Sequence, residues 1–516
     1  MRSIIPLVFG TIFISATLLP AAITDPVRTD SGLVSGTHGT SDEVRVYKGI
    51  PFAAPPVGDL RWRAPQAPAH WEGVRKAEEF SPVCMQQQRG PAGAASGPAP
   101  SEDCLYLNVW TAAKSGSDRL PVIVWTYGGA FTGGAGSLAM YNGEALAKKG
   151  AVVVTYNYRL GIFGFLAHPE LTKESGHNAS GNYGMMDMAA VLHWVQKNIA
   201  NFGGDPKRVT IDGESAGAML VSAMVGSPEG KGLFQRAIAQ SGAWMGVTVG
   251  HMTTLATAEE NGQKLVQGLG ASSIAEMRAK SADDLLKNGR AFFGIVVDGW
   301  YVPEDLSLTY AHHKENAVDI LVGSNRDEGT FFARPGTVKA DQFSGNAKKR
   351  FGDEADAYLK LYPASSDTQA ETSQLAASRD EIGWHMREWA QLQSARGKSK
   401  AYLYFFTHVP PTAPGQPSRG ATHTADLAYM FDNQPPNVTW TDTDKQLADT
   451  MSSYWVNFAA TGNPNGKGLP EWPAFQGKTG DKTMVLGDTV EAGSGIDPAM
   501  LAFYDSYYAK MSSGGL

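Results

Sequence analysis

The nine residues Val209-Thr210-Ile211-Asp212-Gly213-Glu214-Ser215-Ala216-Gly217 constrain this chain more than any other stretch. An apolar, β-branched lead-in, a serine between two glycines and the run Ala218-Met219-Leu220 read as strand, sharp turn and helix. Sterics explain the glycines. A serine at the tip of such a turn has strained backbone angles, and the residues two before and two after it pack too closely for a Cβ. Gly-x-Ser-x-Gly alone recurs by chance in loops, so its surroundings must carry the argument.

Those surroundings alternate between strand and helix. Residues 120–125 (LPVIVW) and 151–156 (AVVVTY) are short apolar runs of the kind buried on both faces of a parallel sheet. Between them 141–150 reads as a short helix closed by Gly150, and 186–202 carries Met188, Val191, Leu192, Val195 and Ile199 at helical spacing. Further strands are expected at 237–239, 319–322 and 401–406. The fold class that follows is α/β, a large and mostly parallel central sheet flanked by helices.

The chain opens with Arg2, an apolar run over 4–19 and Pro20-Ala21-Ala22, the layout of a secretory signal peptide over residues 1–22. It is short for a membrane span and lacks a stop-transfer pattern, and no later apolar stretch is long enough to span. The expected product is secreted or periplasmic. A chain of 516 residues allows two to four domains, but no linker divides it, so residues 23–516 are expected to form one domain. A net charge of −7 gives no reason to expect nucleic acid or an anionic membrane as partner. The sequence leaves the oligomeric state open.

The two cysteines, Cys84 and Cys104, flank a Gly/Ala/Pro-rich loop over 90–100. In an oxidising compartment they are expected to pair, and closing a loop of about 20 residues contributes roughly 3 kcal/mol. They lack Cys-x-x-Cys spacing and a neighbouring histidine, so no metal is expected.

A serine hydroxyl needs a base, and the base needs a carboxylate to hold its tautomer. In strand–turn–helix hydrolases these follow in the order serine, acid, histidine. Downstream histidines are His251, His312, His313, His385, His408 and His423. His312 and His313 sit in a polar segment, and His385 in a helix where packing explains it. His408 ends an aromatic strand and competes with His423, which lies between a Pro/Gly/Ser-rich loop and a short apolar helix. For the acid, the strand at 319–322 leads to Asp327 and Glu328, which spacing does not separate. Both could instead be helix N-terminal charges. The strand ending at Trp125 runs into Thr126-Tyr127-Gly128-Gly129-Ala130-Phe131-Thr132-Gly133-Gly134, which lacks the ending of a phosphate-binding loop, so no nucleotide cofactor is expected. Its Gly129 and Ala130 N–H groups, with that of Ala216, are the expected oxyanion hole.

Taken together, these motifs resemble the type-B carboxylesterase, cholinesterase-like family of the α/β-hydrolase fold. The resemblance covers nearly all of residues 23–516. It rests also on Lys48-Gly49-Ile50-Pro51-Phe52-Ala53-Ala54-Pro55-Pro56-Val57-Gly58-Asp59-Leu60-Arg61-Trp62, Glu102-Asp103-Cys104-Leu105-Tyr106-Leu107-Asn108-Val109-Trp110, Asn157-Tyr158-Arg159-Leu160-Gly161, Asn201-Phe202-Gly203-Gly204-Asp205-Pro206 and Gln240-Ser241-Gly242. It implies the Cys84–Cys104 disulfide, a Ser215, Glu328 and His423 triad, and acyl transfer on a small carboxylic ester.

Three positions depart from the family pattern. Tyr127 stands where many bacterial members have histidine, Ala130 replaces a third glycine, and Asp212 replaces an apolar aromatic, setting a carboxylate near Glu214. The loop between the cysteines has no aromatic residue, which argues against choline recognition. Trp244, Phe131, Phe331 and Phe332 are candidate walls of an apolar acyl pocket, though core packing would account for each. The alternatives are an amidase or lactonase with the same triad, and a binding module without turnover. The retained triad candidates argue against the last.

Overall fold

The β-branched runs pair side by side in a computed structural model that describes residues 23–87, 99–243, 252–289, 291, 293–395, 397–477 and 481–513. The expected signal peptide, most of the loop between the cysteines, Trp244 and His251 lie outside the described residues. Among these residues the main sheet has eleven strands. Their spatial order is Val490–Gly493, Thr483–Leu486, Ala401–Phe406, Asp319–Asn325, Arg236–Gln240, Gly204–Glu214, Leu120–Thr126, Val152–Tyr156, Tyr106–Thr111, Arg45–Pro51 and Thr37–His38. From Thr483–Leu486 to Val152–Tyr156 the seven strands run parallel, and the outer ones pair antiparallel. Parallel strands are covered on both faces, which is why Val122 to Trp125 and Val152 to Tyr156 are buried throughout.

Strand order reverses beside Leu120–Thr126, whose successor Val152–Tyr156 lies on one side while Gly204–Glu214 lies on the other. A crevice opens at the carboxyl ends of parallel strands at such a point. The glycine loop follows the first of these strands and Ser215 follows the third.

Helices close both faces. The periodic stretch expected over 186–202 is the helix Tyr183–Asn198 continued by a 3-10 turn, Ile199–Phe202. Gly203 ends it with φ 81°, where a Cβ would meet Ala113 Cβ at 2.1 Å. Thr441 and Asp444 form a reciprocal capping box that opens the helix Asp442–Thr461, whose Met451, Tyr454, Trp455 and Phe458 are buried. The helix Asp367–Ser394 is far longer than the segment around His385 suggests. With Ala340–Phe351, Ala355–Leu361 and Pro498–Ser513 it builds a second apolar cluster around Phe343, Tyr358, Trp384, Phe503 and Tyr504. No helix among the described residues is long and apolar enough to cross a membrane.

The amino-terminal motifs have structural work. Cys84 and Cys104 form a disulfide. Arg61 grips Glu102 with two hydrogen bonds of 2.6 Å, and Arg159 pairs with the buried carboxylate of Asp187 at 2.7 and 2.9 Å.

Candidate active site

Ser215 occupies the turn between Gly204–Glu214 and the helix Ala216–Gly226 with φ 55° and ψ −124°, a strained conformation for a residue with a side chain. A Cβ on Gly213 would lie 2.6 Å from the Gly217 carbonyl carbon, and one on Gly217 would lie 2.0 Å from Thr126 O. The elbow is therefore closed by glycines. The Ser215 N–H donates to Gln240 O on the adjacent strand at 2.9 Å. Ala216 begins the helix, so its N–H stands at the positive end of the helix dipole.

His423 is buried, and its Nδ1 hydrogen bonds to Glu328 Oε2. The other oxygen of Glu328 accepts from Ser241 Oγ at 2.6 Å and from the Asn325 N–H at 2.8 Å. Both carboxylate oxygens are thus occupied, and Glu328 is fully buried. Its neighbour Asp327 turns elsewhere, accepting from the Ala421 N–H at 2.7 Å and pairing with Arg326 at 3.0 Å. His423 Nε2 has no hydrogen-bond partner among the described residues and lies 3.2 Å from Glu214 Oε1, next in sequence to Ser215.

The ring is seated from behind by residues that sequence reasoning left without a role. Asn325 donates to the carbonyl oxygens of Thr422 and His423 at 2.8 and 3.1 Å and to Asp426 at 3.1 Å. Asp426 also accepts from Gln240 and Tyr404, each at 2.8 Å. Ser241 was visible only as part of a motif, and Asn325 only as a residue of the loop before the acid. Neither carries a signal of its own, because what places them is strand register.

Three carboxyl groups crowd the imidazole. Burial opposes a positive charge on His423, but Glu328 and Glu214 outweigh it and hold the pKa up at about 9. Burial raises Glu214 to about 8, with His423 opposing and Asp426 and Glu328 adding repulsion. Asp426 is raised by burial as well. Asp212, two residues before Glu214 on the same strand, is fully buried, and neither oxygen makes a hydrogen bond to a described residue. Burial lifts it well above the usual carboxylate range, the Gly213 N–H and the Trp455 indole opposing and Asp426 adding. Asp426 is the carboxylate that adds to its shift.

The glycine loop packs directly on the elbow. A Cβ on Gly128 would lie 2.8 Å from Ser215 Cβ, so the backbone of this loop reaches the serine at contact distance. Gly129 has φ 106°, and Ala130 and Phe131 also hold positive φ values of 53° and 59°. Gly129 and Ala130 are exposed, and Phe131 is buried against Phe165. Tyr127 is buried, stacked on Tyr158 with ring centroids 4.5 Å apart.

The competing histidines lie elsewhere. His408 bridges Asp444 at 2.8 Å and Asp488 at 2.5 Å, His385 is buried against Trp384, and exposed His312 faces Glu304. Among the described residues suggested for an acyl pocket, Phe131 is buried whereas Phe331 and Phe332 are exposed. Their rings are exposed and stand 5.3 and 4.9 Å from that of His423.

The chain is similar to known proteins over most of its length. The Carboxylesterase family matches residues 24–496. The chain is 39% identical to a fumonisin B1 esterase of Sphingopyxis macrogoltabida, over 94% of this chain and 92% of that protein. It is 36% identical to the para-nitrobenzyl esterase of Bacillus subtilis (strain 168), over 89% of this chain and 94% of the relative. A solved PNB esterase structure superposes with a TM-score of 0.79 at 34% identity, covering 90% of this chain and 97% of that one. The chain belongs to the carboxylesterase family and has its α/β-hydrolase fold.

Proposed function

We propose that this carboxylesterase works through an acyl-enzyme on Ser215, with His423 as general base, Glu328 as the group that orients it, and the Gly129, Ala130 and Ala216 N–H groups as oxyanion hole. The supporting observation is the division of the imidazole: Nδ1 is committed to a buried carboxylate, while Nε2 makes no hydrogen bond to a described residue and lies 3.2 Å from Glu214, next in sequence to Ser215. His423 takes the Ser215 proton as Oγ attacks the ester carbonyl, and the oxyanion is held by backbone N–H groups. The same imidazole protonates the departing alcohol, then activates water to release the acid. The exposed Phe331 and Phe332 rings form an apolar wall beside the base, suited to an ester with a bulky apolar part.

A p-nitrophenyl ester tests the acyl-enzyme. A burst of one p-nitrophenol per active site, with a matching acyl mass on the Ser215 peptide, is expected. Turnover without any serine-bound acyl group would defeat the mechanism. Fumonisin B1 and p-nitrobenzyl esters, the compounds after which the relatives are named, belong in the same panel. We further propose that residues 23–516 act as one exported α/β-hydrolase domain.

Glu328→Gln is expected to lower kcat on the order of 10³- to 10⁴-fold, whereas Asp327→Asn, which leaves the His423 contact intact, is expected to cost under about ten-fold. Steady-state kinetics on both variants decide it. The reverse ranking would move the acid role to Asp327.

The pH profile carries a second test. Below about 9 the imidazole holds a proton and cannot accept one from Ser215, so kcat/KM is expected to climb with pH toward that value. Glu214→Gln removes a carboxylate 3.2 Å from Nε2, destabilises the imidazolium and moves the climb to lower pH. An unmoved limb would mean that Glu214 does not set the base.

A further inference from the structure

The turn that carries Gly129 and Ala130 is held under strain. Ala130 and Phe131 both occupy left-handed backbone, which is unfavourable for a residue with a side chain. Its internal bonds are local: the Thr132 and Gly133 N–H groups both donate to Gly129 O, at 3.0 and 3.2 Å. Such a turn keeps its shape only if its exit is fixed. Gly134, the exit, has φ 117° and sits so close to Tyr127 that a Cβ would lie 2.4 Å from the ring.

One side chain grips that exit from outside. Gln86 Oε1 accepts from the Gly134 N–H at 2.9 Å, and Gln86 Nε2 donates to Gly134 O at 2.7 Å. The same Nε2 donates to Cys84 O at 3.1 Å, which ties the grip to the disulfide-bridged segment. Two residues on, the Gly136 N–H donates to Asn157 Oδ1 at 3.0 Å, and Asn157 Nδ2 donates to Pro82 O and Cys104 O at 3.1 and 3.2 Å. The loop exit is therefore anchored at two points to the frame around Cys84–Cys104. A glutamine that uses donor and acceptor on both polar groups of one glycine fixes its peptide orientation as well as its position.

We propose that Gln86 is a positioning residue for the oxyanion loop, aiming the Gly129 and Ala130 N–H groups from the disulfide-bridged frame. It touches neither substrate nor Ser215, and its effect passes through Gly134. The inference rests on the proposed oxyanion hole. Misdirected N–H groups weaken the transition state more than the bound ester, so the loss falls on kcat.

The test uses the whole protein with Gln86→Met, which keeps the length of the side chain and removes all three hydrogen bonds. The expected result is a fall in kcat of about ten-fold with KM within about two-fold of wild type. Affinity for a trifluoromethyl ketone, which binds a serine as an oxyanion, should fall in parallel with kcat/KM. Gln86→Glu supplies an independent readout if the first variant folds poorly. Ionised, it keeps the acceptor but turns a carboxylate toward two carbonyl oxygens; protonated, it can donate again. Its kcat relative to wild type should therefore recover as the pH is lowered. Unchanged kcat and ketone affinity in Gln86→Met, a loss confined to KM, or a Gln86→Glu ratio independent of pH would overturn the proposal. If wild type itself does not bind the ketone, the oxyanion-hole reading fails instead.

Discussion

Ser215→Ala is expected to lower kcat on the order of 10⁴- to 10⁶-fold and to leave the free energy of unfolding within about 1 kcal/mol of wild type. The two halves of that expectation have separate causes. The elbow is held by backbone and glycine contacts, namely the 2.9 Å bond from the Ser215 N–H to Gln240 O and the approach of Gly213 and Gly217, none of which uses the hydroxyl. Alanine accepts φ 55° no better than serine, so the strain stays as it was. What disappears is the atom that attacks. Residual hydrolysis would come from water placed against the N–H groups and His423, which explains why the loss is finite. The check is kinetic and chemical together: turnover falls, and the acyl mass disappears from the elbow peptide. Activity within about ten-fold of wild type would place the nucleophile elsewhere in the chain.

The sheet centre was legible because parallel strands buried on both faces write continuous apolar runs, and 120–125, 151–156 and 401–406 coincide with strands. Its edges were not. Thr37–His38 has two partly exposed residues, and Val490–Gly493 is partly exposed along its length, so neither makes an apolar run. The helix Asp367–Ser394 was hidden for a different reason: it buries Ser373, Asp380 and Gln393, which interrupts the apolar stripe that would announce it. At the site, the elbow follows from local sterics, whereas the contact to Glu328 rather than Asp327 depends on where Ala421 and Arg326 hold the loop. Spacing carries no record of that, and only the family resemblance pointed to one of the two acids. Gln86 shows the same limit, since an amide bonded to backbone leaves no pattern in sequence.

Asp212→Asn is expected to stabilise the protein increasingly as pH rises. An aspartate in an unfolded chain ionises near pH 4, while the folded protein keeps this carboxyl protonated well above that, because its complete burial outweighs the nearby Gly213 N–H and Trp455 indole and Asp426 adds repulsion. Below pH 4 both states hold the proton and the group is neutral in each. Above it the unfolded chain releases a proton that the fold retains, so unfolding becomes easier by about 1.4 kcal/mol per pH unit until the folded group itself ionises. Asparagine, similar in size and neutral at every pH, removes that slope. Above pH 4 the advantage of the variant should grow as the pH rises, measured as the difference in denaturant midpoint and slope. This drift runs against the chemistry, since His423 gains basic form toward about 9 while the buried Asp212 costs stability as the pH rises. Asp212→Asn should therefore extend activity on the alkaline side and leave the acid limb where it was. A stability difference that stays constant from pH 5 to pH 8 would show that Asp212 ionises normally, and would remove it as the source of alkaline lability.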